Sequence, residues 1–175
     1  NEIQKEKRRF RPRTYRNAAH NAYMNLQKLT QKSLEAVQQA RDLALENGNQ
    51  QLHQFHLLLA LLRQEDGLIP EMLRSLQVLL TALDSEISTS IGKLPKVGGN
   101  IDPERVYLSR ELNDALSDAE KQAADMKDEY VSVEHLMLGL ITKADRAVKD
   151  IFSRYGITKE IFLTALKNIR GNRKV

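Results

Sequence analysis

The 175-residue sequence contains no cysteine and no tryptophan, and only 5% of its residues are aromatic. Without cysteine the chain forms no disulfide, no thiolate nucleophile and no cysteine-ligated metal site. Its longest apolar stretches are far shorter than the roughly 20 residues that a membrane crossing needs. These absences exclude a disulfide scaffold and predict a chain that does not span a membrane.

Basic residues are concentrated at the amino terminus. The first 23 positions contain seven of the 27 basic residues and two of the 23 acidic residues. The rest of the chain therefore contains 20 basic and 21 acidic residues. A nearly neutral body offers no general attraction for nucleic acid or for an anionic membrane.

Residues 1–23 form a basic leader that we interpret as foreign to the domain, because they match nothing else in the chain and run directly into Met24. An alternative function of another class is nucleic-acid binding, in which the leader contacts phosphates while Phe10, Tyr15 and Tyr23 stack on bases. Runs of charge are more often solvated tails. We therefore do not expect nucleic acid to be the partner.

A repeat with a period of 79 residues organises the rest of the sequence. Residues 29–91 superpose on residues 108–170 without a gap, and nine of the 63 pairs are identical. Most identities fall in two helical stripes: Ala36, Ala40 and Ala44 on Ala115, Ala119 and Ala123, and His56, Leu57, Leu59 and Leu61 on His135, Leu136, Leu138 and Leu140. Stripes at this spacing are typical of amphipathic helices, so each copy is predicted to be one helical unit.

Cap and turn residues predict four helices in each copy, and hence an all-α fold of two pseudo-symmetric four-helix repeats joined by a Gly/Pro linker. The alanine stripe predicts a face that another helix can approach closely. At one turn Gln77 replaces Gly156, and we expect that turn to be remodelled. The predicted segments are 24–93 for repeat 1, 94–107 for the linker and 108–170 for repeat 2. The predicted helices are about 30–47, 54–64, 69–76, 79–91, 109–127, 132–141, 147–155 and 158–170.

Motifs for catalysis or cofactor binding do not appear. The phosphate-binding P-loop pattern and the dinucleotide pattern are both absent. His53 and His56 have the spacing of two zinc ligands but lack a third, and Glu134 cannot orient its neighbour His135 on a helix. We predict no metal, no cofactor and no catalytic residue, and we interpret His56 and His135 as hydrogen-bonded residues at the base of buried helices.

Three short motifs, together with the duplication, resemble the double repeat of the Clp N-terminal domain, which is found on AAA+ unfoldases, and its ClpB-type disaggregase branch in particular. They are Met24–Thr30 (MNLQKLT), Leu94–Val97 (LPKV) and Arg170–Asn172 (RGN). The resemblance implies that residues 171–175 begin a linker to an ATPase module outside this chain. It also implies a cytoplasmic, hexameric, stress-response parent whose ATP and magnesium bind in that module, and an isolated domain that is monomeric.

The same resemblance implies a partner and a site. The expected partner is unfolded or aggregated polypeptide, held in an apolar groove with Thr30, Asp128, Tyr130 and Glu134 at its polar edge. Three of these residues also have an equally good structural interpretation. Thr30 caps a helix, Asp128 is a loop residue, and Glu134 interacts with a helix dipole.

This sequence departs from the family pattern at several of the expected site positions. Phe55 replaces an expected glutamate, and part of the family's apolar groove corresponds here to the polar residues Asp118, Gln122 and His135. A weaker or differently shaped groove is therefore expected. A related alternative is docking of an adaptor or co-chaperone, as in ClpA- and ClpC-type unfoldases.

Overall fold

Eight α-helices form two repeats of four between residues 26 and 173. The structure is a computed structural model, and it describes Glu2 and residues 26–173, with side chains to residue 171. Repeat 1 contains α1 (Gln31–Glu46), α2 (Gln54–Leu62), α3 (Leu68–Ser75) and α4 (Leu80–Gly92); repeat 2 contains α5 (Arg110–Asp125), α6 (Val133–Thr142), α7 (Arg146–Arg154) and α8 (Lys159–Arg173). The predicted all-α pair of repeats is confirmed. The nucleic-acid hypothesis for the basic leader lies outside the described residues.

The first helix of each repeat begins and ends as the sequence indicates. Thr30 Oγ1 accepts the Ser33 amide across 3.2 Å, and Ser109 Oγ accepts the Leu112 amide across 3.0 Å. These caps satisfy amides that have no partner within the helix. After α1, Gly48 has a φ of +74°, the left-handed conformation in which glycine commonly ends a helix.

Short parallel bridges, which the sequence pattern does not predict, connect the two repeats. β1 (Gln51–Leu52) pairs with β2 (Tyr107–Leu108), and Leu29 pairs with Val131. The two pairings are equivalent under the 79-residue repeat. In each, residues just before the first helix of one repeat pair with residues just before the second helix of the other repeat. The bridges therefore fix the two repeats against each other.

The central helices α2 and α6 lie in the core, and α6 packs very closely on α5. A Cβ atom added to Gly139 would lie 2.2 Å from the carbonyl oxygen of Ala115 and 3.1 Å from the amide of Ala119. The close helix approach predicted from the alanine stripe is confirmed.

Our expectation that the Gln77 turn is remodelled is wrong. Gln77 adopts a φ of 63°, close to the 68° of Gly156. In this turn the Val78 amide donates to the Leu73 carbonyl across 3.0 Å. The equivalent bond in repeat 2 runs from the Ile157 amide to the Phe152 carbonyl, across 2.9 Å. Burial of Val78 and this bond offset a left-handed cost of about 1 kcal/mol.

The segment after α4 returns over the first repeat. Asn49 donates its side-chain amide to the Pro95 carbonyl across 2.9 Å, and the Val97 amide donates to the Gly48 carbonyl, also across 2.9 Å. This segment thereby covers the turn that follows α1. Among the described residues, no helix is both long and apolar enough to cross a bilayer.

Candidate functional site

Asp128 lies in the loop between α5 and α6, in contact with two other elements. Lys127, with a φ of 60°, turns the chain out of α5. The Asp128 carboxylate then accepts one bond from His135 Nε2 across 2.8 Å and another from Arg170 Nη2 across 3.0 Å. The loop is therefore tied to α6 and α8 through a single acidic side chain.

Glu134 lies in the first turn of α6, and its side chain is 11% exposed. Its carboxylate also accepts a bond from Arg170 Nη2, across 3.0 Å. Arg170 thus joins the two predicted acidic site residues, a role that the sequence reasoning did not assign. The sequence did contain a signal for this role, because the repeat aligns Arg170 with Ile91, which is buried. A charged side chain at a position that is buried and apolar in the other repeat needs a charged or hydrogen-bonding partner.

Thr30 reaches this region through the bridge between Leu29 and Val131. Its amide donates to the Val131 carbonyl across 3.1 Å. Its hydroxyl caps α1 and donates to Ser33 Oγ across 2.9 Å, so the capping interpretation of Thr30 is confirmed. Tyr130, next to Val131 in the chain, is 52% exposed and is the large apolar surface of the loop.

The ionised form of Asp128 is favoured by its neighbours. Burial raises its pKa, but the hydrogen bonds and positive charge of Arg170 and the hydrogen bond of His135 outweigh burial and leave that pKa below its usual value. Burial lowers the pKa of Arg170, whereas Glu134 and Asp128 raise it above its usual value. The site is consequently a charged cluster of two carboxylates and one guanidinium.

His135 supports this cluster from beneath. Its Nδ1 atom accepts the Ser132 amide across 2.8 Å, which leaves Nε2 as the donor to Asp128. His56 repeats this arrangement with the His53 amide, across 2.8 Å, and with Asn49, across 3.0 Å. The structural role predicted for both histidines is confirmed. The part of the chain that the structure describes contains no group of three side chains able to hold a metal ion.

A shallow depression of about 280 Å³ lies beside the loop. Its lining is mixed rather than apolar: it includes Lys28, Glu120, Lys121, Asp128, Glu129 and Val131. Of the predicted groove positions, Asp118 and Gln122 bond to each other across 3.1 Å, and the His135 side chain is fully buried. Of the four predicted site residues, Asp128 lines the depression; the lining does not include Thr30, Tyr130 or Glu134.

Comparison with known proteins identifies the fold. The family model described as the Clp repeat N-terminal domain matches residues 28–155. The chain is 37% identical over 153 residues to the chaperone protein ClpB of Clostridium tetani and 36% identical over 154 residues to that of Clostridium perfringens. Each match covers 87% of this chain and 18% of the relative, so the chain spans about a fifth of these proteins.

Solved structures show the same architecture. The crystal structure of the Hsp104 N-terminal domain from Candida albicans superposes with a TM-score of 0.71 at 23% identity, covering 82% of this chain and 92% of that one. A Clp N-terminal domain is a non-catalytic module of AAA+ proteins. The chain therefore belongs to the Clp N-terminal repeat domain family, and its relatives are the N-terminal domains of ClpB chaperones.

Proposed function

We propose that this chain is the client-binding domain of a ClpB-type disaggregase and that it binds unfolded or aggregated polypeptide reversibly. The binding surface is the loop from Asp128 to Tyr130 with the start of α6, and Thr30 borders it. No bond is made or broken in this domain. The catalytic part of the proposed parent is an ATPase hexamer in the cytoplasm, and its ATP and magnesium bind outside this chain.

The observation that carries the proposal is the pairing of an exposed aromatic ring with a fixed charged cluster. Tyr130 is 52% exposed, and two residues before it Asp128 is held by His135 and Arg170. A half-exposed ring contributes apolar contact area, and oriented carboxylates accept hydrogen bonds from the amides of an unfolded chain. Amides are present in every polypeptide, so this backbone part of the contact is available to many different clients.

Binding at one such surface is expected to be weak. Ordering a flexible client costs conformational entropy, and the shallow depression offers little area to offset that cost. We expect a Kd of about tens of micromolar or weaker for one domain. In a hexamer, six linked copies raise the apparent affinity through multivalency.

Fluorescence anisotropy of a labelled, permanently unfolded protein, such as reduced and carboxymethylated α-lactalbumin, tests the proposal on the full chain. We expect Tyr130→Ala and Glu134→Gln each to weaken binding about three- to tenfold. Glu65→Gln, an exposed acidic position in repeat 1, is the matched control and should leave binding unchanged.

Equal affinity in all four proteins would contradict the assigned surface. No binding at millimolar chain concentration would contradict client capture itself. That outcome would favour the adaptor-docking alternative, which a screen against folded partner proteins then tests.

A further inference from the structure

Repeat 1 shows a segment outside any helix or strand bound at the turn that corresponds to the candidate site. The Val97 amide donates to the Gly48 carbonyl, and the Asn49 side chain donates to the Pro95 carbonyl, both across 2.9 Å. Under this segment Asn49 is only 2% exposed. The chain itself therefore shows how a non-helical backbone segment lies against this turn.

No segment between residues 26 and 173 covers the equivalent turn in repeat 2. The repeat period aligns Gly48 with Lys127 and Asn49 with Asp128. Both turns leave the preceding helix with the same bond, since the backbone amides of Asn49 and Asp128 donate to the carbonyls of Ala44 and Ala123 across 2.8 and 2.9 Å. Yet the Asp128 side chain is 30% exposed. Among the described residues, no backbone amide donates to the Lys127 carbonyl.

The last helix of repeat 2, α8, extends past the position at which the last helix of repeat 1, α4, ends. α4 ends at Gly92, and the chain then turns toward Gly48. The period places the equivalent end at Gly171, but α8 continues to Arg173. Up to Arg173, the last residue that the structure describes, the chain remains in α8 and does not return over the turn as the segment after α4 does.

The chemistry of the two turns differs at one atom pair. Asn49 uses its amide group to donate to a carbonyl, whereas the Asp128 carboxylate only accepts. An occupant must therefore present a donor at this point. The carboxylates of Asp128 and of exposed Asp125 and Glu129 outnumber the one loop cation, Lys127. The depression beside Asp128, whose lining also includes Lys28 and Lys121, has the volume to hold a long side chain.

We propose that the turn from Lys127 to Val131 and the adjoining depression bind an extended polypeptide segment that carries a basic side chain. Its backbone amide donates to the Lys127 carbonyl, as Val97 does to Gly48. Its lysine or arginine head donates to the carboxylates of Asp128 and Glu129. This inference rests on the proposed function, because it states which segments of an unfolded client the domain binds and in what conformation.

The test uses the full chain and two acetylated, amidated 12-residue peptides of glycine, serine and leucine. One carries two central arginines, and the other carries citrulline, a neutral analogue of the same shape, at both positions. Amide NMR titrations give the affinity and the location. We expect the citrulline peptide to bind at least fivefold more weakly, with shifts for the arginine peptide centred on Lys127–Val131 and on Ala124, which lines the depression.

Asp128→Asn is the informative variant because Asn49 shows that asparagine accepts the histidine bond at this position. We expect it to remove most of the difference between the two peptides, while Glu65→Gln preserves the difference. N-methylation of the backbone amide that follows the first arginine of the arginine peptide should weaken the binding of that peptide, since this amide is the proposed donor to the Lys127 carbonyl.

Three results would overturn the inference. Equal binding of the two peptides would remove the basic requirement, and shifts centred elsewhere would remove the location. If replacing the seven basic residues of the leader by serine shifts the Lys127–Val131 amides with no peptide present, the occupant is the leader and not a partner. Retained binding of carboxymethylated α-lactalbumin in any of these cases would leave the proposed function standing, and its loss would overturn both.

Discussion

Nε2 of His135 lies 2.8 Å from Oδ2 of Asp128, and the pair repeats, with asparagine in place of aspartate, at His56 and Asn49 in the other half of the molecule. The histidine bond is therefore common to both repeats, and the negative charge is particular to the second. In repeat 2 the same carboxylate also binds Arg170. A shared structural pair has thus become part of a charged cluster in one copy only.

Substitutions at Asp128 should separate the histidine bond from the ion pair. Asp128→Asn keeps an acceptor for His135 and loses a partly exposed ion pair, so we expect a loss of less than about 1 kcal/mol in the free energy of unfolding. Asp128→Ala leaves the buried Nε2 donor of His135 without its partner, and we expect a loss of about 1–3 kcal/mol. Urea unfolding at pH 7 measures both, and an equal loss in the two variants would contradict this ranking.

The acid side of the stability profile should depend on Asp128. Its pKa is lowered in the folded state, so the folded protein binds this proton less readily than the unfolded chain. The resulting stability is fully present above the unfolded pKa, about 3.9, and is lost as the pH falls through the lower folded pKa. Asp128→Asn should therefore lose less stability than wild type between pH 4 and pH 2. Parallel profiles would contradict the prediction.

His56 should remain neutral to unusually low pH. Burial and the nearby His53 lower its pKa from 6.5 to about 4. Between these values the unfolded chain takes up a proton that the folded protein does not, so stability falls by about 3 kcal/mol as the pH drops from 6.5 to 4. An NMR titration of the imidazole resonance, assigned with His56→Gln, measures the midpoint. A midpoint near 6.5 would show that the buried arrangement is wrong.

The left-handed turn of repeat 1 offers a stabilising substitution. Gln77 has a φ of 63°, where glycine meets no penalty from a Cβ atom. We expect Gln77→Gly to raise the free energy of unfolding by only about 0.5 kcal/mol, because the greater entropy of unfolded glycine, about 0.4–1 kcal/mol, is subtracted from a left-handed cost of about 1 kcal/mol. Gly156→Gln, the reverse change at the equivalent turn, should lower it by a similar amount. Urea unfolding of both variants is the measurement, and a destabilised Gln77→Gly would refute the argument.

The contact between α5 and α6 should tolerate no added atom. In Gly139→Ala the new Cβ meets the Ala115 carbonyl at 2.2 Å, a distance that only a shift of the backbone relieves. We expect a loss of at least about 3 kcal/mol in the free energy of unfolding. Ala60, which is 1% exposed, is the repeat-1 equivalent, and Ala60→Gly, the reverse change, should cost about 2 kcal/mol through helix propensity and the loss of a buried methyl group. A Gly139→Ala protein as stable as wild type would contradict the packing.

The fold was predictable from the sequence because its determinants are local and repeated. Thr30 and Ser109 mark where helices begin, Gly48 marks where one ends, and the alanine stripe predicts the close contact with Gly139. The turn at Gln77 was not predictable in the same way. A local rule favours glycine there, but the tertiary packing of Val78 holds the left-handed conformation.

The candidate site was predictable only in part. Asp128, Tyr130 and Glu134 are close in the sequence, and the family motif identifies them. Arg170 lies 36 residues after Glu134 and reaches it only because α8 folds back on α6, a relationship that no spacing rule contains. The bridge between Leu29 and Val131 escaped prediction because two or three residues are too few to show the alternation of a strand.

The most direct measurement of the central claim is an amide chemical-shift map of the full chain titrated with carboxymethylated α-lactalbumin. Client capture at the second repeat predicts fast-exchange shifts concentrated at Thr30, Asp128–Tyr130 and Glu134, while the repeat-1 counterparts Asn49–Gln51 and Phe55 stay unmoved. Shifts of equal size in both repeats, or shifts confined to residues outside this loop, would contradict the claim that repeat 2 carries the client-binding surface.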